Sequence, residues 1–419
     1  MTKATLRASS VEEAAPLFIN GRTYRQPARP VVVICFDGCD PDYVAAAMQA
    51  DVAPHLAAMM QHGFGAIAQA AMPTFTNPNN VAIACGAPPS VTGVAGNYYL
   101  DRATGREVMV LDGHQMQVDT IFAHFARAGV PVAVVTAKDK LLRALARNMD
   151  GIALSAESPE DAVPVLGDRA PASAADKYSE ALSLYVLDAG ISLLEANRAD
   201  IIYLSLSDYV QHKHAPEAPE ALAFMAEVDR RLGRLVALGA TVGIVADHGM
   251  HDMSGPDGTP RVLFVQDVLE ARFGAGSVRV ICPITDPFVR HHASLGGFVR
   301  VYIKEATVSP EAVRDALAGM VGVSLALLAD EACTRFDMPL EGEADVVVVA
   351  APGFALGATQ GEHDLSALAG QRLRSHGGTS EQAVPFILSH PLTEDYATRA
   401  QAGLRNFDIF DFTINGVTA

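Results

Sequence analysis

Residues 30–38, PVVVICFDG, decide the fold. The stretch is nearly continuously apolar until Asp37-Gly38 closes it. Successive residues of a strand face opposite sides, so a half-buried strand alternates apolar and polar positions. A run that is apolar at every position belongs to a strand covered on both faces, as in a parallel sheet. Two later stretches repeat the pattern and end alike. ADIIYLSLSD (199–208) closes on Asp208, and ATVGIVADHG (240–249) closes on Asp247-His248-Gly249. VPVAVVTA (130–137) is a fourth apolar run.

Between these runs the periodicity is helical. PDYVAAAM, PHLAAMMQHG, DTIFAHFARAG, KYSEALSLYVLDAGISLLEA and PEALAFMAEVDRRLGRLVALG all read as helices. Asn77-Pro78 followed by NNVAIACG reads as a helix with proline in its first turn. Strand–helix alternation predicts an α/β layer fold with a mostly parallel sheet. Ligands in such sheets bind beyond the carboxyl ends of the strands. Three strands delivering Asp37, Asp208 and Asp247 to one edge already define a candidate site.

The rhythm changes after residue 250. RVLFVQDVL, VRVICPI, GGFVRVYIK, SPEAVRDALAGMVG and DVVVVAA read as a smaller α+β unit, and at SHGGTSEQAVPFILS the chain returns to the core. The expected organisation is a polar, irregular N-terminal arm over 1–30, an α/β core over 31–250 and 371–419, and an inserted α+β cap over 251–370.

Half of the 419 residues are hydrophobic and 19% are charged, enough apolar material for a large core. The formal charge is 31 − 48 = −17, which gives no long-range reason to bind nucleic acid or an anionic membrane. An anionic substrate would need local positive charge from metal ions or clustered lysines. The five cysteines are scattered, and only Cys35 and Cys39 lie close, so buried reduced thiols are expected rather than a structural zinc site. The N-terminus lacks the pattern of a signal peptide, and no uncharged apolar stretch nears the ~18 residues of a membrane span. A soluble cytoplasmic protein is the expectation.

The individual acids and histidines have ordinary readings beside functional ones. Asp37 suits a helix N-cap. In SDYVQHKH, Asp208 and His212 lie four apart and share a face if the stretch is helical, as two ligands of one ion would. His214 competes with His212. An Asp and a His leaving an apolar strand together at 247–248 are costly to bury unpaired. His376, in SHGGT, is followed by glycines that let backbone approach a ligand. Thr76, in PTFTNPNN, is either a helix cap or a nucleophile held where the helix dipole favours a phosphoryl oxygen. A metal ion would lower the pKa of its hydroxyl.

FDG, PTFTNPN, the Asp-x-x-x-His of DYVQH, ADHG and the late SHGG occur in the order found in the alkaline phosphatase superfamily. The chain resembles the nucleotide pyrophosphatase/phosphodiesterase-like branch through most of 31–250 and 370–390. Within it, CFDGCDPDY, MPTFTNPNN, GNYY, the triplet Lys138-Asp139-Lys140 and SHGGTSEQAVPF resemble the phosphonoacetate-hydrolysing family. That resemblance implies two zinc ions per chain. One would be held by Asp208, His212 and His376, the other by Asp37, Asp247, His248 and the Thr76 hydroxyl. It implies Thr76 as nucleophile, and Thr76, Asn97, Lys138, Lys140 and His212 around a small phosphonate. A homodimer is implied as well.

The expected reaction is hydrolysis of phosphonoacetate to acetate and phosphate through a phosphothreonine. The alternative on the same scaffold is a phosphodiesterase or phosphomonoesterase, which a substrate panel with a nucleotide diester discriminates. A sulfatase would need a Cys or Ser in a C/S-x-P-x-R context, which TNPNN lacks. A non-catalytic anion-binding module would have no need of two zinc ions.

Overall fold

The computed structural model describes residues 15–110, 113–172, 179–285, 293–368 and 370–418. At its centre is a seven-stranded sheet. In chain order its strands are β1 (Val31–Cys35), β2 (Phe64–Gln69), β3 (Val132–Thr136), β4 (Ile152–Ser155), β5 (Ile201–Ser205), β6 (Thr241–Val245) and β7 (Ala383–Leu388). They lie side by side in the order β2-β7-β6-β1-β5-β3-β4. The five from β6 to β4 run parallel, and β7 alone is antiparallel to its neighbours β6 and β2.

Every residue of β1, β3, β5 and β6 is buried, as continuous apolar runs require. Adjacent residues of β5 show both faces covered. The Tyr203 ring packs 5.4 Å from Phe122 and 5.8 Å from Phe410. Its neighbour Leu204 points the other way, against Gly190 of the helix Ala181–Glu195. There a Cβ on residue 190 would come within 2.6 Å of the leucine, so only glycine allows that approach. The helix Pro219–Ala237 buries Phe224, Val228, Leu232 and Leu235, one stripe at helical spacing. Its Asp229 accepts hydrogen bonds from the N–H groups of His55 and Leu56, supplying the cap that the helix Pro54–His62 lacks on its own.

Beyond residue 250 a second apolar cluster forms around a four-stranded antiparallel sheet. Its strands, in spatial order, are Val278–Ile281, Phe298–Ile303, Val346–Ala350 and Val323–Leu328. RVLFVQDVL divides into a short strand, Val262–Phe264, and a helix, Val265–Phe273. A two-residue ladder ties the segment leaving the large sheet to the one returning, with His251 opposite Ser375 and Asp252 opposite Arg374.

The N-terminal stretch departs from the irregular arm expected of it. Residues 1–14 lie outside the described residues, but Leu17–Ile19 and Arg22–Tyr24 form a hairpin whose Ile19 and Tyr24 are buried in the main core. Asn20-Gly21 has positive φ at both positions, the turn chemistry of a two-residue hairpin.

Candidate metal centre

Three neighbouring strands build the site. Cys35 of β1 is in register with Val245 of β6 and with Ser205 of β5. Asp37 and Asp247 therefore sit at equal depth, two residues past the ends of adjacent strands, and Asp208 sits three past β5. Asp208 opens the single helical turn Tyr209–Lys213, which carries His212 on the same side. His376 follows the returning segment Arg374–Ser375, and the ladder to His251–Asp252 brings it beside His248. The rings of His248 and His376 stack at 3.6 Å and 8°.

Two groups among the described residues could hold a metal ion: Asp208, His212 and His376, and Asp37, Asp247 and His248. All six are buried. Each histidine is fixed the same way. His212 Nδ1 donates to the carbonyl of Arg374 (2.8 Å), His248 Nδ1 to that of Gly249 (2.9 Å) and His376 Nδ1 to that of Thr74 (2.7 Å). A carbonyl only accepts, so each Nδ1 carries a proton, and Nε2 is the ring nitrogen left to bind a cation. Around His248 Nε2 lie Thr76 Oγ1 at 3.2 Å, Asp37 Oδ1 at 3.4 Å and Asp247 Oδ2 at 3.7 Å. Ligand atoms of a tetrahedral zinc stand roughly 3.3 Å apart, given bonds of about 2.0 Å. In the other group Asp208 Oδ2 is 2.9 Å from His212 Nε2 and 4.0 Å from His376 Nε2. The residues present fit two cations.

The electrostatics point the same way. Burial, then the charges of Asp208 and Asp247, push the Asp37 carboxyl well above the ordinary range. Burial raises Asp247 too, against the pull of His248. His376 is held well below a normal histidine, first by burial and then by His248 and His212. Three acids crowded out of water beside a histidine, His376, that resists protonation make a poor internal salt-bridge cluster and a good cation site.

Thr76 begins the helix Thr76–Cys85, with Phe75 in the cap position. The cleft above it is lined by Asn77, Asn97, Lys138 and Lys140 beside Asp37, Asp208 and His376. Asn97 is 7% exposed, and its Oδ1 has no hydrogen-bond partner among the described residues. Lys138 Nζ stands 4.0 Å from Asp208 Oδ1. Asp139, between the lysines, accepts from Ser158 Oγ (3.1 Å). His214 is only partly buried and sits 3.7 Å from Glu220, in neither ligand group.

Three contributors were not read from the sequence. Asn80 donates to Asp247 Oδ2 (3.0 Å) and to the carbonyl of Thr76 (3.1 Å). Its Oδ1 accepts from Tyr203 (2.8 Å) and Ser205 (2.9 Å). It ties a ligand to the turn that carries the threonine. A fully buried amide needs such partners, so two asparagines before an apolar helix were the available signal. Arg374 holds the 211–214 turn from below, donating to the carbonyl of Gln211 (2.7 Å) and to Tyr43 Oη (3.0 Å). Ile284, from beyond residue 250, lines the same cleft. The glycines after His376 serve the protein's own packing. Gly377 has φ +125°, and a Cβ there would lie 2.5 Å from Phe75.

A mostly parallel α/β sheet that gathers buried acids and histidines beside a helix N-terminus defines a metallohydrolase scaffold. Residues 31–377 match the family described as type I phosphodiesterase / nucleotide pyrophosphatase. Phosphonoacetate hydrolase from Sinorhizobium meliloti 1021, solved in complex with phosphonoformate and with phosphonoacetate, is 40% identical with a TM-score of 0.89. That match covers 96% of this chain and 99% of the other. The chain therefore belongs to the type I phosphodiesterase / nucleotide pyrophosphatase family of the alkaline phosphatase superfamily, and within it to the phosphonoacetate hydrolases. It is a hydrolase. Murine ectonucleotide pyrophosphatase / phosphodiesterase 5, at 17% identity and TM-score 0.63 over 92% of this chain and 94% of its own, shares the fold.

Proposed function

We propose that this protein hydrolyses the carbon–phosphorus bond of phosphonoacetate to acetate and phosphate, with two zinc ions per chain. The observation that carries the reading is the cleft itself. A threonine oxygen lies against one buried ligand group, a second group faces it, and two lysines flank the opening. The bound phosphonoacetate of the 40% identical relative supports the same substrate.

Zinc bound by Asp208, His212 and His376, and by Asp37, Asp247, His248 and Thr76, would lower the pKa of the threonine hydroxyl and offset phosphoryl charge. Thr76 Oγ attacks phosphorus opposite the departing carbon. The P–C electron pair leaves as the enolate of acetate, which takes a proton from water, and a phosphothreonine remains. Water then attacks that phosphorus, releasing phosphate and restoring the hydroxyl. Asn97 and the N–H groups at the start of the Thr76–Cys85 helix stabilise charge on the phosphoryl oxygens. Lys138 and Lys140 hold the carboxylate and the enolate charge, the step that separates phosphonate cleavage from ester cleavage. His212 would serve both as a ligand of one zinc and as a neighbour of the bound substrate.

In this reading residues 251–370 form a cap over a core of 31–250 and 371–419, and the protein works as a cytoplasmic homodimer. No helix among the described residues is long and apolar enough to cross a membrane. The deciding experiment measures phosphate and acetate released from phosphonoacetate, with and without a chelator. Stoichiometric release that stops on chelation and returns with zinc is expected. A protein that spares phosphonoacetate and turns over a nucleotide diester overturns the reading.

A further inference from the structure

We infer that Arg300, from the cap sheet, is a positioning residue that sets Asn97 for its contact with the phosphoryl group; the inference rests on the role proposed above for Asn97. The strand Phe298–Ile303 reads FVRVYI, and its buried Arg300 is 4% exposed. The guanidinium forms a two-pronged pair with Glu343, Nε to Oε1 at 2.5 Å and Nη2 to Oε2 at 2.8 Å. A buried pair of this kind is weak evidence for stability, because desolvation offsets most of its attraction. What it achieves here is orientation. With the fork held by Glu343, Nη1 donates to the carbonyl of Ala95 at 3.0 Å.

Ala95 lies two residues before Asn97, and the segment between them has little freedom. Asn97 N–H donates to the carbonyl of Pro283 (2.9 Å), and its own carbonyl accepts from Val110 (2.9 Å). At Gly96 a Cβ would stand 3.0 Å from both Arg300 Nη1 and the Pro283 side chain. The 95–97 turn is therefore clamped between Arg300 and Pro283, both reached only after the chain has left the large sheet. This clamp sets the side chain of Asn97, whose buried Oδ1 has no hydrogen-bond partner among the described residues, at the cleft it lines. The cap thus completes the phosphoryl-binding side of a site whose metal ligands come from elsewhere.

The test is a double-mutant cycle of Arg300→Lys with Asn97→Ala, following kcat on phosphonoacetate and, in parallel, on p-nitrophenyl phosphate. Lysine keeps the charge but cannot bond Glu343 and Ala95 as one planar fork. Arg300→Lys should lower kcat about tenfold in the otherwise unchanged chain and less than about twofold when Asn97 is already alanine. Zinc content should stay the same throughout. Gly96→Ala, which displaces the turn with the ion pair intact, should repeat the pattern and covers the case in which Arg300→Lys fails to fold. Equal losses in both backgrounds, no loss at all, or a loss that follows zinc content overturn the proposal. If Asn97→Ala alone leaves both substrates unaffected, the role assigned to Asn97 is wrong, and the inference falls with it. Activity on the ester but not the phosphonate would instead indict the substrate.

Discussion

Asp37 and Asp247 project from adjacent parallel strands at matching depth, and the same sheet that buries them sets their separation. The Asp208, His212 and His376 group joins the end of β5 to the segment Arg374–Ser375, more than 160 residues later in the chain. Its geometry depends on a two-residue ladder, a stacked ring pair and the carbonyls of Arg374 and Thr74. One group is a local consequence of strand register; the other is a long-range assembly. The first should tolerate disturbance of the stretch between residues 251 and 370, and the second should not.

The largest expected effect tests the link of the threonine to the first group. Thr76→Ala should lower kcat on phosphonoacetate by about a thousandfold or more, while zinc still binds the Asp208, His212 and His376 group. Phosphate-release kinetics and metal analysis on one preparation check both halves.

Next come two substitutions that separate the groups. Gly377→Ala forces a Cβ against Phe75 and a strained φ, and should weaken the Asp208–His212–His376 ion about 10- to 100-fold while sparing the other. Asn80→Ala leaves Asp247 without its amide donor and should do the reverse by a similar factor. Zinc titration that finds both ions weakened equally in each variant would break the comparison.

Smaller still is a selective effect at the mouth. Lys138→Ala or Lys140→Ala should cost phosphonoacetate about tenfold more than p-nitrophenyl phosphate, whose leaving group needs no help from a lysine. Equal losses on the two substrates would sink the assignment of the lysines to the carboxylate.

The smallest effect concerns the chelator-treated protein. The Asp37 carboxyl, raised on folding, adds stability that is complete below its unfolded pKa and lost as pH rises through the folded one. His376, depressed on folding, works oppositely: its share is present above about 6.5 and lost as pH falls through the depressed value. Asp37→Asn removes the first contribution and keeps the second. Without metal the variant should melt about 2 °C above the parent near neutral pH, with the gap closing toward pH ~5. Thermal denaturation across that range shows whether the two groups oppose each other.

Legibility in the sequence followed the same division. The runs at 31–36, 201–206 and 241–246 announced buried parallel strands, and the acids at their ends announced an edge. The spacing of Asp208 and His212 suggested a shared face, which the turn Tyr209–Lys213 provides. His376 carried almost no local signal, because its neighbours in space, Thr74, His212 and His248, lie far from it in the chain. The glycines beside it suggested room for a ligand, yet Gly377 makes room for Phe75. Asn20-Gly21 was a hairpin signal that an otherwise polar start obscured, and Asn80 looked like one more polar residue at a helix start.

By itself, the sequence determined the layered α/β fold and its acid-bearing edge, because apolar periodicity and strand-end residues are properties of neighbours in the chain. Only the tertiary structure decided how the edge becomes a centre. It left Nε2 to bind a cation by giving each histidine Nδ1 a backbone carbonyl, and it stacked His376 on His248. It also reached from Arg300 to the turn that carries Asn97. Apart from the bond of His248 to Gly249, these contacts join residues far apart in the chain, and no pattern among neighbours encodes which of them will meet.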